Sequence, residues 1–450
     1  MIGVARDLTQ GSIPRHVLAL AVPALFSMFA IVVNNLIDTA LVGHLGAAQV
    51  AAVGSAGFVI WMIFSIMDVF SVGTVAIISR HYGAGEQDQA SEKSMQILRF
   101  AFLFSIVFAI LGFSFAGKVY GLLNLAPDVE RMGQIYLRIV FLAVPALFLA
   151  EVGGSIFRAI GDTITPMIVM VASVLINIVL DICLIYGVWI FPRLETMGAA
   201  IATAIAHTVA MLIGLILVLK GRIPFRIIPR LREKTRLDII AGLFKIGLPP
   251  SLASLNFAFV YLVMTRIMSQ FGTPAVAAIP VGNRAESISY MTCFGFYIAA
   301  SAMVGQNLGA RQSERAARAA WTTLGIISVI TFAYGVIFLL LSEQITSVLT
   351  NDNEVIKIAG SYLRVLAFSQ VFMAFEFVLE GAFAGAGDTL PPMIVSIPGT
   401  LLRIPLAYLL AISLSLGPSG VFWAITISTI AKGTVVFIWF RSGSWKKQKI

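Results

Sequence analysis

Charge is scarce in this sequence. Asp, Glu, Lys and Arg make up 12% of its 450 residues, about half the share a soluble chain of ordinary composition carries. Cysteine is scarcer still. Cys183 and Cys293 both fall inside apolar stretches, so neither a disulfide framework nor a CxxC motif is available, and each reads as a small buried side chain. The four histidines, His16, His44, His81 and His207, are scattered. HExxH, an aspartate-rich metal motif and Gly-x-Ser-x-Gly are all missing, which excludes the commonest hydrolytic constellations. The Gly-x-x-x-x-Gly-Lys phosphate loop is missing too, so any ATP-driven process would need a partner. The chain is not expected to be an enzyme or to carry a cofactor.

What is present is apolar sequence, 59% of the chain, in runs such as Val17 to Val42. A helix of about 20 apolar residues crosses a hydrocarbon core of roughly 30 Å. Twelve such helices are predicted, near 14–42, 50–80, 93–119, 132–159, 165–190, 197–220, 238–269, 275–305, 316–341, 357–384, 391–415 and 418–440. The first dozen residues are polar, with Arg6, and the apolar run after Arg15 is too long for a signal-peptide core, so no cleavable signal is expected. The net charge of +9 lies between the apolar runs without aromatic platforms around it. That argues against nucleic acid and for the anionic headgroups of membrane lipids as partner. The longest polar stretch, Lys220 to Asp238, also holds Arg222, Arg226, Arg230, Arg232, Lys234 and Arg236. It divides the chain into 1–220, a basic linker 221–237, and 238–450. Basic residues concentrate at the termini, in this linker and in the connections after the second, fourth and eighth helices. By the positive-inside rule both termini and the linker are expected in the cytoplasm, with the protein multi-pass in the cell membrane.

The two parts repeat. A shift of 226 residues aligns Pro23 with Pro249, Thr39 with Thr265, Gly46 with Gly272, and Gly83-Ala84 with Gly309-Ala310. It also aligns Tyr136-Leu137-Arg138 with Tyr362-Leu363-Arg364, Gly161-Asp162-Thr163 with Gly387-Asp388-Thr389, and Pro166-Met167-Ile168-Val169 with Pro392-Met393-Ile394-Val395. One ungapped offset over so long a stretch is a tandem duplication. An even number of helices per half gives both halves the same orientation, as in parallel-repeat transporters.

Polar residues inside the apolar runs need a reason, because a charge at mid-membrane costs about 2.5–3.5 kcal/mol on insertion scales. Asn34 and Asp38 share a face of the first helix, and Asn177 and Asp181 share a face of the fifth. Thr203 follows Gly198-Ala199-Ala200 on the sixth, a small-residue run that permits close helix approach. If these helices meet, two carboxylates and several neutral oxygens converge. Such a cluster suits a proton or a small hard cation such as Na⁺; the competing reading is a hydrogen-bond network that only holds the bundle together.

The second half lacks this cluster. The shift pairs Asp38 with Met264, Asn177 with Arg403 and Asp181 with Ala407. It carries instead Arg284 with Glu286, and Glu376 with Glu380 at a spacing of one helical turn. A glutamate could pair with Arg284; otherwise these residues line a cavity that handles substrate charge. Phe368, Phe372, Met373, Phe375 and Phe377 crowd the tenth helix, as core or lipid-facing packing or as an adaptable pocket. Pro23, Pro166, Pro249 and Pro392 permit bending, and a kink in the first helix offers a route from protonation at Asp38 to helix shape.

These residues resemble a known family. Asn35-Leu36-Ile37-Asp38-Thr39 with Val42-Gly43 and Leu45-Gly46 is similar to the first helix of multidrug and toxic compound extrusion (MATE) transporters. So are Ala159-Ile160-Gly161-Asp162-Thr163, the span Asn177 to Asp181, Gly198 to Thr203, Val304-Gly305-Gln306-Asn307-Leu308-Gly309-Ala310 and the second Gly-Asp-Thr. The set Asp38, Asn177, Asp181 resembles the DinF-like branch. The resemblance implies an all-α membrane fold, two pseudo-symmetric six-helix bundles forming a V around a cleft. It implies secondary active antiport by alternating access, exporting amphipathic, often cationic small molecules in exchange for H⁺ or Na⁺; separately, the protein is expected to work as a monomer. Asp38, Asn177, Asp181, Thr203 and Asn34 would form the coupling site, and Arg284, Glu376, Glu380, Asn256 and Met264 would line the substrate cleft. Other branches carry an acidic residue on the seventh helix where this chain has Ser251, Ser254 and Asn256.

The rival reading is a flippase for lipids or lipid-linked precursors of the same superfamily. A pyrophosphate-lipid carrier would need several basic residues in its cleft, and only Arg266, Arg284, Arg403 and Lys432 lie in predicted membrane cores.

Overall fold

The computed structural model describes residues 5–121, 125–220, 224–225 and 236–448. Much of the basic linker, including Arg222, Arg226, Arg230, Arg232 and Lys234, lies outside the described residues. Among those described there is no strand. Twelve helices are long and apolar enough to cross a membrane: α1 Ile13–Gly43, α2 Ala47–Gly83, α3 Gln87–Gly121, α4 Pro127–Ala159, α5 Ile164–Tyr186, α6 Glu195–Leu219, α7 Leu237–Phe271, α8 Thr273–Gly309, α9 Ser313–Ser347, α10 Asn353–Ala386, α11 Leu390–Ser413 and α12 Pro418–Arg441. The all-α, twelve-helix architecture expected from the sequence is the one observed.

The helices start and stop where local chemistry dictates. Pro127 and Pro418 open α4 and α12 at a position that needs no amide hydrogen. Asp352 caps α10, accepting from the amides of Glu354 and Val355 at 2.9 and 3.2 Å. The helix predicted to reach residue 190 stops at Tyr186 because Gly187 turns left-handed (φ +71°). The repeated Gly-Asp-Thr is a helix-to-helix joint. Gly161 and Gly387 both take positive φ. Asp162 then accepts from the amides of Ile164 and Thr165 at 3.0 and 2.9 Å, starting α5. The duplication reaches the backbone itself: positive-φ residues pair at the 226 offset as Gly46 with Gly272, Gly85 with Arg311, and Trp189 with Ser415.

The chain forms two compact units. Unit 1 comprises residues 1–7 and 26–247, and unit 2 comprises residues 8–25 and 248–450. The division follows the repeat except at α1 and α7, each of which changes unit in mid-helix. Both handovers lie beside helix-interior prolines, Pro23 in α1 and Pro249-Pro250 in α7, where a missing backbone hydrogen bond lets a helix bend.

Each unit has its own core. In unit 1, Phe70 packs against Phe100, Phe104, Phe148 and Phe244 with ring centroids 5.2–6.1 Å apart. Gly198 lets α6 approach α5, since a Cβ there would lie 2.6 Å from the Leu184 carbonyl oxygen. In unit 2, one cluster gathers α8, α9, α10 and α12 around Phe296, Phe383, Phe440 and Trp445. A second lies around Tyr362 and Phe422. The crowded aromatics of the tenth predicted helix largely serve this packing. Phe375 stacks on Phe437 at 5.2 Å, Phe377 meets Tyr290 edge-on, and Met373 is buried, while Phe368 remains exposed.

Candidate ion and substrate sites

In unit 1 the polar residues of α1, α5 and α6 come together. Asn34 donates to Asp38 at 3.4 Å. Asn177 and Asp181 are buried, and the Asn177 amide lies 3.5 Å from the Thr203 hydroxyl. With its nitrogen turned toward α1, Asn177 donates to Asn34 at 2.8 Å and to Asp181 at 3.3 Å. Its oxygen then accepts from the Thr203 amide at 3.1 Å. That orientation satisfies both ends of the amide. The carboxyl groups of Asp38 and Asp181 are close enough to interact directly, and a hydrogen bond between them would require a proton on one of the two. One oxygen of each, Oδ1, is buried without a partner. Buried acceptors left open in this way are uncommon and call for a proton or a cation.

The sequence did not single out Tyr136 for this site. It lies buried on α4 within electrostatic reach of both aspartates. Its only signal was membership of the repeat, as the partner of Tyr362.

A second polar group of unit 1 also went unnoticed. On α2 and α4, Ser71 donates to Glu151 at 2.8 Å, Arg158 donates to Ser155 at 2.7 Å, and Arg158 pairs with Glu151. Asp68 sits within electrostatic reach of that pair. This network sets two acidic side chains, Asp68 and Glu151, against one basic one, Arg158.

In unit 2 the expected cleft residues separate. Glu376 is buried and ion-paired at 2.5 Å with Lys432 of α12, which also donates to Thr400 at 3.3 Å. Gly399 makes room for the lysine, because a Cβ there would lie 2.4 Å from its Cγ. Glu380, half-buried one turn along, lies within reach of both charges. Arg284 is exposed and stands apart from this group; the cation that meets a glutamate is Lys432. Met264 is buried in the core around Tyr362, and Asn256 donates to the Ile397 carbonyl at 3.3 Å. Glu286 accepts from the Tyr362 hydroxyl at 2.7 Å. Among the described residues no group of three or more His, Cys, Asp or Glu side chains could hold a metal ion. The oxygen cluster of unit 1 combines two carboxylates with neutral ligands, a donor set suited to a proton or a hard cation.

Comparison with known proteins agrees with this architecture. The MatE family profile matches residues 23–183 and again 249–409, once per repeat. The chain is 26% identical over 449 residues to "Probable multidrug resistance protein NorM" of Thermotoga maritima, covering 97% of this chain and 94% of that one. It is 27% identical over 435 residues to a protein named "FAD transporter" of Shewanella oneidensis, with 96% and 95% covered. In fold it is similar to a solved MOP superfamily transporter from Pyrococcus furiosus, with a TM-score of 0.92 at 24% identity and 100% of both chains covered. Two matches of one family profile span the same two repeats that the internal duplication defines, and the chain belongs to the MatE family of multi-pass membrane transporters.

Proposed function

We propose that this protein is a cation-coupled exporter. It moves amphipathic, cationic small molecules out of the cell by alternating access, in exchange for H⁺ or Na⁺ bound at Asp38, Asp181, Asn177, Thr203 and Asn34. The observation that carries this reading is the Asp38–Asp181 pair, two carboxylates in direct interaction with one buried oxygen of each left open. Two carboxylates with no basic partner, Asp181 buried and Asp38 half-buried, need one proton or cation to be stable in a low-dielectric setting. A ligand whose departure leaves them uncompensated is a strong lever on the helices that carry them. The names of the relatives, multidrug resistance proteins among them, support export of foreign compounds. The cytoplasmic placement of both termini rests on the charge distribution, and the monomeric state on each unit having its own core.

The test is transport. The purified protein is reconstituted in liposomes, a pH or Na⁺ gradient is imposed separately, and movement of a fluorescent organic cation is followed. One gradient drives wild-type transport, and Asp38→Asn or Asp181→Asn uncouples it. An Asp38→Asn variant coupled at the wild-type rate sinks the proposal. Response to neither gradient redirects attention to lipid-linked substrates.

A further inference from the structure

The 226-residue offset pairs Tyr136 with Tyr362, Asn177 with Arg403 and Thr203 with Thr429. The contacts pair as well. In unit 1 the Asn177 amide lies 3.5 Å from the Thr203 hydroxyl, and in unit 2 Arg403 donates to the Thr429 hydroxyl at 3.1 Å. Tyr136 lies within electrostatic reach of Asp38 and Asp181, and Tyr362 donates to Glu286. Unit 2 has therefore kept the tyrosine and the threonine of the oxygen cluster. It has exchanged both aspartates for buried apolar residues, Met264 and Ala407. Where unit 1 has a neutral amide, it has a guanidinium.

That guanidinium is 7% exposed. Besides Thr429 it donates to Ser428 at 2.7 Å and lies 5.6 Å from the Phe257 ring centroid. Among the described residues these hydroxyls are its hydrogen-bond partners, and the balancing charges, Glu376 and then Glu286, act on it at longer range; Glu376 is already paired with Lys432. An arginine does not deprotonate inside a protein, so this positive charge is permanent. Unit 1 is the reverse case: its carboxylates have open oxygens and no basic side chain bonded to them. No carboxylate oxygen of unit 2 is among the buried unpartnered atoms of the described residues.

We propose that unit 2 retains the ion site in closed form: Arg403 supplies, tethered to the chain, the positive charge that the unit 1 site takes up as an exchangeable ion. Unit 2 then binds no coupling ion at this position, and the protein senses ions through unit 1 alone. Glu286 serves as counter-charge to Arg403, and removing the guanidinium while leaving Glu286 opens the site to a proton or Na⁺. The inference rests on reading the unit 1 cluster as an ion site.

Ion-dependent thermal stabilisation of the purified full-length protein, read with ²²Na⁺ binding, tests it. Na⁺ is titrated at fixed pH, and pH is varied without Na⁺. Wild type shows an ion-dependent rise in Tm that Asp181→Asn abolishes. Adding Arg403→Asn, the first repeat's own residue, to Asp181→Asn restores an ion-dependent rise, and adding Glu286→Gln removes it again. Arg403→Lys in the same background keeps the tethered charge and stays silent. In the mirror experiment Asn177→Arg makes unit 1 indifferent to ions and as heat-stable without them as wild type with them. A silent Arg403→Asn/Asp181→Asn protein that is folded, a responding Arg403→Lys counterpart, or an ion-responsive Asn177→Arg protein each overturns the proposal while the reading of unit 1 stands. A wild type blind to both ions overturns that reading, and this one with it.

Discussion

At the scale of single residues, the two units handle buried charge in opposite ways, and the consequences are measurable. Lys432 and Glu376 form a nearly fully buried pair. Breaking such a pair leaves an uncompensated charge and typically costs about 3–5 kcal/mol, whereas replacing both partners is close to neutral. Lys432→Met is therefore expected to lower the thermal midpoint strongly, and Lys432→Met with Glu376→Gln to recover most of the loss. A double-mutant cycle by thermal unfolding checks this; additive single effects would show the pair to be uncoupled. In unit 1 the expectation differs, because on the proposed reading Asp38 and Asp181 share a proton or cation, with no basic side chain bonded to them. Asp181→Asn keeps the shape and a hydrogen-bonding group while removing one charge. The folded protein should survive it with a stability near wild type, and ion-dependent stabilisation should vanish. A severe loss of stability would mean instead that the cluster is chiefly a structural clamp.

At the scale of helices, much was legible because the signals are local. Apolar runs gave twelve helices, and the duplicated Gly-Asp-Thr marked a joint whose glycine turns left-handed in both copies. Asn34, Asp38, Asn177, Asp181 and Thr203 stood out because a polar residue in an apolar run is conspicuous. Their convergence followed from shared helix faces and the small residues of α6. Tyr136 was missed because a tyrosine is unremarkable in a membrane helix, and its role comes only from the neighbours that α5 and α1 bring to it. Arg284 was conspicuous as a charge inside an apolar stretch, and its exposed helix face argues against the buried ion pair while leaving a cleft-lining place open to it. Lys432 was conspicuous but could not be assigned to Glu376, since they are 56 residues apart on α12 and α10. Close packing makes its own prediction. Gly198→Val forces carbons against the Leu184 carbonyl, and overpacking of this kind costs about 1–3 kcal/mol or more. The expected outcome is a lowered thermal midpoint together with weakened ion-dependent stabilisation, because α5 and α6 carry Asn177, Asp181 and Thr203. A lowered midpoint with unchanged ion response would separate packing from site geometry.

At the scale of the whole molecule, the repeat and the fold disagree about where one half ends, and the disagreement is informative. The duplicated sequence runs from one end of a six-helix set to the other, but residues 8–25, the start of α1 and the segment before it, belong to unit 2 and residues 237–247 of α7 belong to unit 1. The borrowed pieces are well seated. Leu8 is fully buried in unit 2, its amide donating to Gln306 at 3.1 Å and its carbonyl accepting from Asn307 at 3.2 Å. In unit 1, Gly247 packs against the backbone at Val69, where a Cβ would clash at 2.0 Å. A half cut at the basic linker therefore lacks part of its own core and exposes apolar surface meant for the other. Residues 1–220 and 238–450, expressed separately, should each fail to give a monodisperse peak in detergent by size-exclusion chromatography. Expressed together they should co-purify as one particle and regain ion-dependent stabilisation, since Phe225 is the one buried apolar residue among those described that the cut removes, and no member of the oxygen cluster is lost. A stable, monodisperse 1–220 half would show that the segments exchanged at α1 and α7 are incidental. Its absence, with recovery on co-expression, would show that each unit needs the segment it takes from the other half of the chain.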